Sequence, residues 1–307
     1  MHEQNRKPTE HKPTAWVATL ISHPDEPCLD LGRLASLRAR LSGAEVATLS
    51  PGRAVDLYSD AAEQHMLATT LREALGDAPV DIVVQPAAGR RKRLLVADMD
   101  STMIRQECID ELADAAGLKA HVSAITERAM RGEIAFEPAL RERVGLLKGL
   151  PVGLIDEIIK TRITLMPGAG KLVATMRRNG AYTALVSGGF TLFTGPVAAM
   201  LGFDMHRSND LVIEDGRLAG RVSEPILGRE AKLQALEALR ARFNLAPGAT
   251  LAVGDGANDL AMLGAAGLGV AYHAKPIVAE AAHARIDHAD LTALLYLQGY
   301  QDADIGV

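Results

Sequence analysis

The sequence predicts an α/β protein in which a helix-covered parallel sheet follows a smaller α+β unit. Three observations predict it. From Leu94 onward, short apolar runs (Leu94 to Ala97, Tyr182 to Val186, Leu251 to Val253, Leu268 to Ala271) alternate with stretches of helical spacing. Between the first two runs, Glu107 to Leu165 is rich in helical spacing and offers no convincing strand, as an insertion packed over the sheet's edge would. Ahead of Leu94, a shorter series of strand-like and helical runs ends in a stretch that mixes Pro, Gly and charge.

The elements follow in order. Met1 to Thr14 is polar, carries Pro8 and Pro13, and lacks the apolar core of a secretory signal; residues 1–14 read as a disordered tail. Residues 15–88 form the front unit. Its strands are expected at Trp16 to Ile21, Glu45 to Leu49 and Val80 to Val84, and its helices at Leu29 to Leu41 and Ala61 to Leu75. Gln85 to Arg93 reads as a linker, with the basic run Arg90, Arg91, Lys92, Arg93 solvated rather than a binding patch. Residues 89–307 form the second unit, with the insertion at about 107–165. Within it, Asn209 to Val222 reads as a hairpin around Asp215-Gly216, a pair suited to a type I′ turn because both central residues need positive φ.

Composition excludes several classes. The 307 residues suffice for two domains, and 48% hydrophobic with 23% charged residues is ordinary for a soluble globular chain. Aromatics make up only 4%, so the core must be mainly aliphatic. A net charge of -5 provides no global basic field, and no nucleic-acid partner is expected. No uninterrupted apolar run reaches the roughly 18 residues of a spanning helix, so no membrane partner is expected either. Cys28 and Cys108 make no disulfide framework, and neither they nor the nine histidines show metal-ligand spacing. A reducing, cytoplasmic location is expected.

Chemistry concentrates at strand ends. In an open parallel sheet, ligands bind outside the carboxyl ends of the strands. Leu94 to Ala97 runs into Asp98-Met99-Asp100-Ser101-Thr102, Tyr182 to Val186 into Ser187-Gly188-Gly189-Phe190, and Leu251 to Val253 into Gly254-Asp255-Gly256-Ala257-Asn258-Asp259. Clustered carboxylates repel one another unless a cation intervenes, and oxygen-only ligands suit Mg²⁺ with a bound phosphate. Glycine backbone and the Ser187 hydroxyl can donate to phosphate oxygens. A carboxylate can also act as a nucleophile. Asp98 and Asp100, two apart, can divide labour between attack and proton transfer. Lys232, at the start of a helical stretch, could supply a compact positive charge.

These strings resemble the four motifs of the haloacid dehalogenase superfamily, over about Leu94 to Tyr300. The resemblance implies a Rossmann-like core with a helical cap, and a Mg²⁺-dependent hydrolase of phosphorylated amino acids, specifically of O-phospho-L-serine in the last step of serine biosynthesis. It implies Asp98 as nucleophile, forming a phosphoaspartyl intermediate, and Asp100 as general acid and then base. It implies Mg²⁺ held by the Asp98 carboxylate, the Asp100 carbonyl and Asp255, with Asp259 ordering the water shell. Ser187, Gly188 and Lys232 would grip the phosphoryl group. Glu107 falls where the family's amine-binding glutamate lies, and Arg143 where its carboxylate-binding arginine lies. Met130 and Phe136 match apolar cap residues, and Asn258 would help at the carboxylate or phosphate end. The front unit resembles small ACT-like regulatory domains, which implies an amino-acid effector there; a homodimer is also implied.

Other readings stay open, among them a related amino-acid phosphatase; a phosphotransferase would share these residues, and a regulator would rest on the front unit. A phosphotransferase would pass the phosphoryl group to homoserine or a similar hydroxy amino acid. An amino-acid-sensing regulator would use the front unit for its main work. Met99, where the family often has Phe, should only pack.

Overall fold

The computed structural model describes residues 16–41, 44–59, 64–130 and 133–306, without the side chains of 64, 129 and 130. The tail expected at 1–14 and the first turn of the helix expected from Ala61 lie outside the described residues.

The front unit runs β1 (Trp16–Ser22), α1 (Leu31–Arg40), β2 (Glu45–Ser50), β3 (Ala54–Ser59), α2 (Gln64–Leu75) and β4 (Val80–Pro86). Its sheet is antiparallel, in the order β2-β3-β1-β4, the split arrangement of a ferredoxin-like βαββαβ unit. Ala18 and Leu20 of β1, with Val55 and Leu57 of β3, pack with Leu37, Leu67 and Leu71 of the two helices. The opposite face of the sheet is buried too, because Ile21, Ala54 and Val83 join the core of the second unit.

That second buried face explains two departures from expectation. The strand β3 is absent from the pattern of apolar runs because Asp56 interrupts it, yet Asp56 is 1% exposed. Its partner is Arg90, in the stretch expected to be a solvated linker. Arg90 and Lys92 are each only 8% exposed. The Arg90 guanidinium donates to both Asp56 oxygens at 2.6 and 2.9 Å, to Thr19 Oγ1 at 3.0 Å, and to the carbonyls of Tyr296 and Leu297 at 3.1 Å each. A basic run flanking a domain boundary thus reads as solvated only while the neighbouring domain is out of view. Asp81 likewise accepts from the backbone N–H groups of Asp287 and Ala289 at 2.8 and 2.9 Å, and from that of His288.

The second unit holds a six-stranded parallel sheet in the order β12-β11-β10-β5-β6-β7. Its chain course is β5 (Leu94–Ala97), α3 (Cys108–Ala115), α4 (Lys119–Met130), α5 (Phe136–Leu146), α6 (Gly153–Thr161), α7 (Ala169–Arg178), β6 (Tyr182–Phe190), α8 (Thr191–Leu201) and β7 (Met205–Asn209). The hairpin β8 (Leu211–Glu214) and β9 (Arg217–Val222) follows, then α9 (Glu230–Arg242), β10 (Thr250–Gly254), α10 (Leu260–Ala265), β11 (Leu268–Tyr272), α11 (Pro276–Ala281), β12 (Ala284–Ile286) and α12 (Ala293–Tyr296). The central strands are buried on both faces, which is why they read as plain apolar runs. The edge strands β7 and β12 were not legible: Met-His-Arg-Ser-Asn is polar, and β12 is three residues long. The hairpin turn has φ of 49° at Asp215 and 73° at Gly216, as a type I′ turn requires.

The insertion is α3 to α6. Its two crossings into the sheet pair with each other at Ile104 and Leu165, and are braced by Arg105 N–H to Thr164 O at 3.0 Å and Met166 N–H to Met103 O at 2.9 Å.

Candidate active site

The chain leaves β5 toward β6 and β7 on one side, then returns to build β10, β11 and β12 on the other. The strand order therefore reverses between β5 and β10, and the crevice outside their carboxyl ends is where such sheets take ligands. Asp98 follows β5 directly, and Asp255 follows β10. Ser187 lies in β6 just where its pairing with β7 becomes irregular, after Val186.

These loops line one small cavity of about 180 Å³. Asp98, Asp100, Asp255, Ser187 and Gly188 are on its wall, joined by Glu107, Phe136 and Arg143 of the insertion and by Asn258. Lys232 and Asp259 sit beneath, at 2% and 0% exposure. Met130 ends α4, and its side chain lies outside the described residues. Ile109, Leu140 and Lys275 also line the cavity, and the sequence reading assigned them no role. Ile109 and Leu140 look like any apolar helix residues until the helices are placed.

The floor of the cavity is a charge cluster. The Lys232 ammonium lies 2.8 Å from Asp98 Oδ1 and 2.7 Å from Asp259 Oδ1. Asp259 Oδ2 accepts from the Gly256 N–H at 3.1 Å, and Thr102 Oγ1 donates to Asp255 at 3.4 Å. Glycine at 254 permits this packing, since a Cβ there would fall 2.2 Å from Asp259 Cγ. At Gly189 a Cβ would crowd Asp100 Oδ2 at 3.2 Å. Ser187 Oγ accepts from the Gly189 N–H at 2.9 Å, which fixes the hydroxyl toward the loop. Asn209 was also missed. Buried at the end of β7, it donates to Gly188 O at 2.9 Å and accepts from Leu227 N–H at 2.7 Å, tying the Gly-rich loop to the segment before α9.

The electrostatics follow from that burial. Burial pushes the Asp98 carboxyl well above its ordinary range, the Asp259 charge adds to this, and Lys232 opposes it. Burial and the nearby Glu107 raise Asp100 to about 7, while donors from Cys108 pull it down. Asp255 is raised to about 6 by burial, then by Asp259 and Glu107. Burial works against the charge on Lys232, but Asp98 and Asp259 outweigh it and raise its pKa. The ammonium pairs with Asp98 and Asp259, two of three carboxylates (with Asp255) that each offer an oxygen within 4.8 Å of the others. The remaining negative charge and the all-oxygen donor set fit a hard divalent cation.

Glu107 and Arg143, also on the cavity wall, carry opposite charges. The Glu107 carboxylate is exposed, and Arg143 is partly buried, donating to two neutral groups among the described residues, Ala139 O and Thr126 Oγ1, each at 3.3 Å. Burial lowers the Arg143 pKa, with Asp110 and Glu107 opposing. The Phe136 ring reaches across to the Gly-rich loop, its Cζ 3.5 Å from the place a Gly188 Cβ would occupy.

A parallel α/β sheet with a helical insertion carries carboxylates, a lysine and a Gly-rich loop at its switch point, the arrangement of a hydrolase that handles phosphate. Residues 95–264, more than half of the chain, match the haloacid dehalogenase-like hydrolases, and the chain belongs to that family. Phosphatases of the family generally use a divalent metal, which the acidic cluster fits. Within the family the chain groups with phosphoserine phosphatases. It is 50% identical over 210 residues to the phosphoserine phosphatase of Polaromonas sp. (strain JS666), covering 67% of this chain and 89% of the relative. It is 44% identical over 241 residues to phosphoserine phosphatase SerB2 of Mycobacterium tuberculosis, which covers 78% of this chain; the chain spans only 59% of that relative's length. Among solved structures, a haloacid dehalogenase family hydrolase from Salmonella enterica serovar Typhi superimposes with a TM-score of 0.81 at 31% identity, covering 92% of this chain and 98% of its own. That coverage includes the front unit.

Proposed function

We propose that this chain hydrolyses O-phospho-L-serine to L-serine and phosphate with Mg²⁺, as the last step of serine biosynthesis. One observation carries the reading. A single cavity is lined both by the phosphate-handling groups and by a carboxylate and a guanidinium, the two charges that would read an amino acid's ammonium and carboxylate. The relatives are named for the same activity.

The roles follow from position. An Asp98 oxygen attacks phosphorus, and the bond from phosphorus to the serine oxygen breaks. Asp100, raised to about 7, gives its proton to the leaving serine oxygen. The ionised Asp100 then takes a proton from water, whose oxygen attacks the phosphoaspartyl phosphorus and regenerates Asp98. Ser187, the Gly188 N–H and Lys232 hold the phosphoryl oxygens, and Asn258 assists at the cavity wall. Asp98, the Asp100 carbonyl and Asp255 would hold Mg²⁺, with Asp259 behind them, and the ion would supply positive charge to the phosphoryl oxygens. Glu107 binds the ammonium, Arg143 the carboxylate, and Phe136 with Met130 closes the apolar side.

The proposal extends to the rest of the molecule. The front unit is ACT-like, on the support of its βαββαβ order, and takes an amino-acid effector. The protein works as a homodimer in the cytoplasm; among the described residues no helix is long and apolar enough to cross a membrane.

The test is a phosphate-release panel of phosphorylated metabolites, run with Mg²⁺ and with chelator, with and without added homoserine. The reading expects phosphoserine to be preferred, activity to vanish with chelator, and no phosphohomoserine. Transfer to homoserine in place of phosphate release would establish the phosphotransferase instead.

A further inference from the structure

We infer that Ser101 is a positioning residue for substrate discrimination, anchoring the Glu107 carboxylate toward the cavity and away from the helix that Glu107 begins. The inference rests on the reading of Glu107 as the ammonium acceptor and goes beyond it by asking what holds that carboxylate in place.

Glu107 is the N-cap residue of α3, with extended backbone (φ -95°, ψ 110°), yet its side chain makes no bond to its own helix. The side chain at this position can accept from the second or third N–H of the helix, a role that short side chains such as Asp, Asn, Ser and Thr fill. The first N–H of α3, that of Cys108, donates to Asp100 Oδ1 at 3.3 Å. The upstream carboxylate takes the helix end and the local one is released. Glu107 Oε1 accepts instead from Ser101 Oγ at 2.8 Å. One oxygen is thereby fixed, and the other is left for a ligand.

Ser101 makes this contact from an unusual backbone. Its φ is 55°, in the left-handed region that residues other than glycine seldom adopt, and its N–H donates to Gln106 O at 3.3 Å to close the loop. A left-handed serine is unfavourable locally, and this one is joined by a hydrogen bond to the carboxylate six residues on. Such features persist where the surrounding structure imposes them, and they cluster at ligand sites. Ser101 itself is not among the residues of the cavity wall, so it acts through Glu107.

The experiment compares O-phosphoserine with its deaminated analogue, 3-phosphooxypropanoate, which keeps the phosphate and carboxylate and lacks the ammonium. Ser101→Ala removes the hydroxyl. Ser101→Gly removes it too but is relaxed at positive φ, so it folds where the alanine variant is strained. Both variants should raise KM for phosphoserine about tenfold, the loss expected when a hydrogen bond to a charged group goes. The KM for the analogue and kcat for phosphoserine should stay near wild type. Ser101→Asn, which tolerates the left-handed backbone and brings an amide donor, should recover part of the loss. A Ser101→Gly enzyme that discriminates the two substrates as the wild type does would overturn this inference alone. A wild type that does not discriminate them would overturn the ammonium assignment of Glu107 and this inference together.

Discussion

Arg90 and Asp56, between the two units, have side chains 7% and 1% exposed; Lys232 and Asp98, on the cavity floor, have side chains 2% and 7% exposed. The two pairs are equally withdrawn from water and differ in what surrounds them. Between the units, one guanidinium meets one carboxylate, and the remaining donors go to Thr19 and two backbone carbonyls. The geometry is fork to fork, and the set is complete within the chain. On the floor, three carboxylates cluster and one ammonium pairs with two of them, Asp98 and Asp259, while Asp98 is pushed up by burial and by Asp259. Buried charge that is matched fastens two units together; buried charge left in excess is a demand for a ligand.

Removing the excess should abolish function and leave the fold. Asp98→Asn is expected to lower kcat at least ~10⁴-fold, as loss of a nucleophile does, while the metal-free variant melts no lower than the wild type because one repelling carboxylate is gone. Steady-state kinetics and a thermal melt check both halves, and substantial activity in the purified variant would remove Asp98 as nucleophile. Removing a matched charge should do the reverse. Asp56→Ala strands the Arg90 guanidinium and should destabilise by about 3–5 kcal/mol, with kcat per folded molecule kept. Denaturant unfolding with an active-site titration tests this, and unchanged stability would mean that the contact between the units is loose.

Smaller effects sharpen the contrast inside the site. Arg143→Ala should reduce kcat/KM for phosphoserine by about 10- to 100-fold, and far less for a simple aryl phosphate. Equal losses on both substrates would place Arg143 outside substrate recognition. The smallest effect concerns pH. Asp255 and Asp100 are raised to about 6 and about 7, so the folded metal-free protein holds protons that the unfolded chain releases. Their contribution to stability is present at low pH and is lost as pH rises through 6 and 7. The melting temperature without metal should therefore rise by a few degrees as pH falls from 8 to 6, and Mg²⁺ should flatten that slope. A profile unaffected by Mg²⁺ would argue against an ion among these carboxylates.

The legible and illegible parts of the molecule divide along the same line. Asp98, Asp255 and Ser187 could be placed from the sequence because each follows a run buried on both faces, and chemistry at the end of such a run belongs to the rim. Asp56 could not be placed, since a charged residue in mid-strand breaks the only pattern available to a single sequence. Arg90 was misplaced for the matching reason. Nothing local distinguishes an arginine in solvent from one that another domain will cover. Glu107 and Arg143 were legible only through resemblance, and Ile109 and Leu140 not at all.

The amino-acid sequence by itself determined the alternation of buried runs and helices, the turn at Asp215-Gly216, and the motifs at three strand ends, because these depend on near neighbours along the chain. Only the tertiary structure decided that the front unit is fastened by buried charge, that Asp100 rather than Glu107 caps α3, and that Ser101 holds Glu107. Each of these is a choice among partners that local sequence leaves equally open. Burial settles it, because a charge withdrawn from water must find its hydrogen bonds among whatever groups the fold brings within reach.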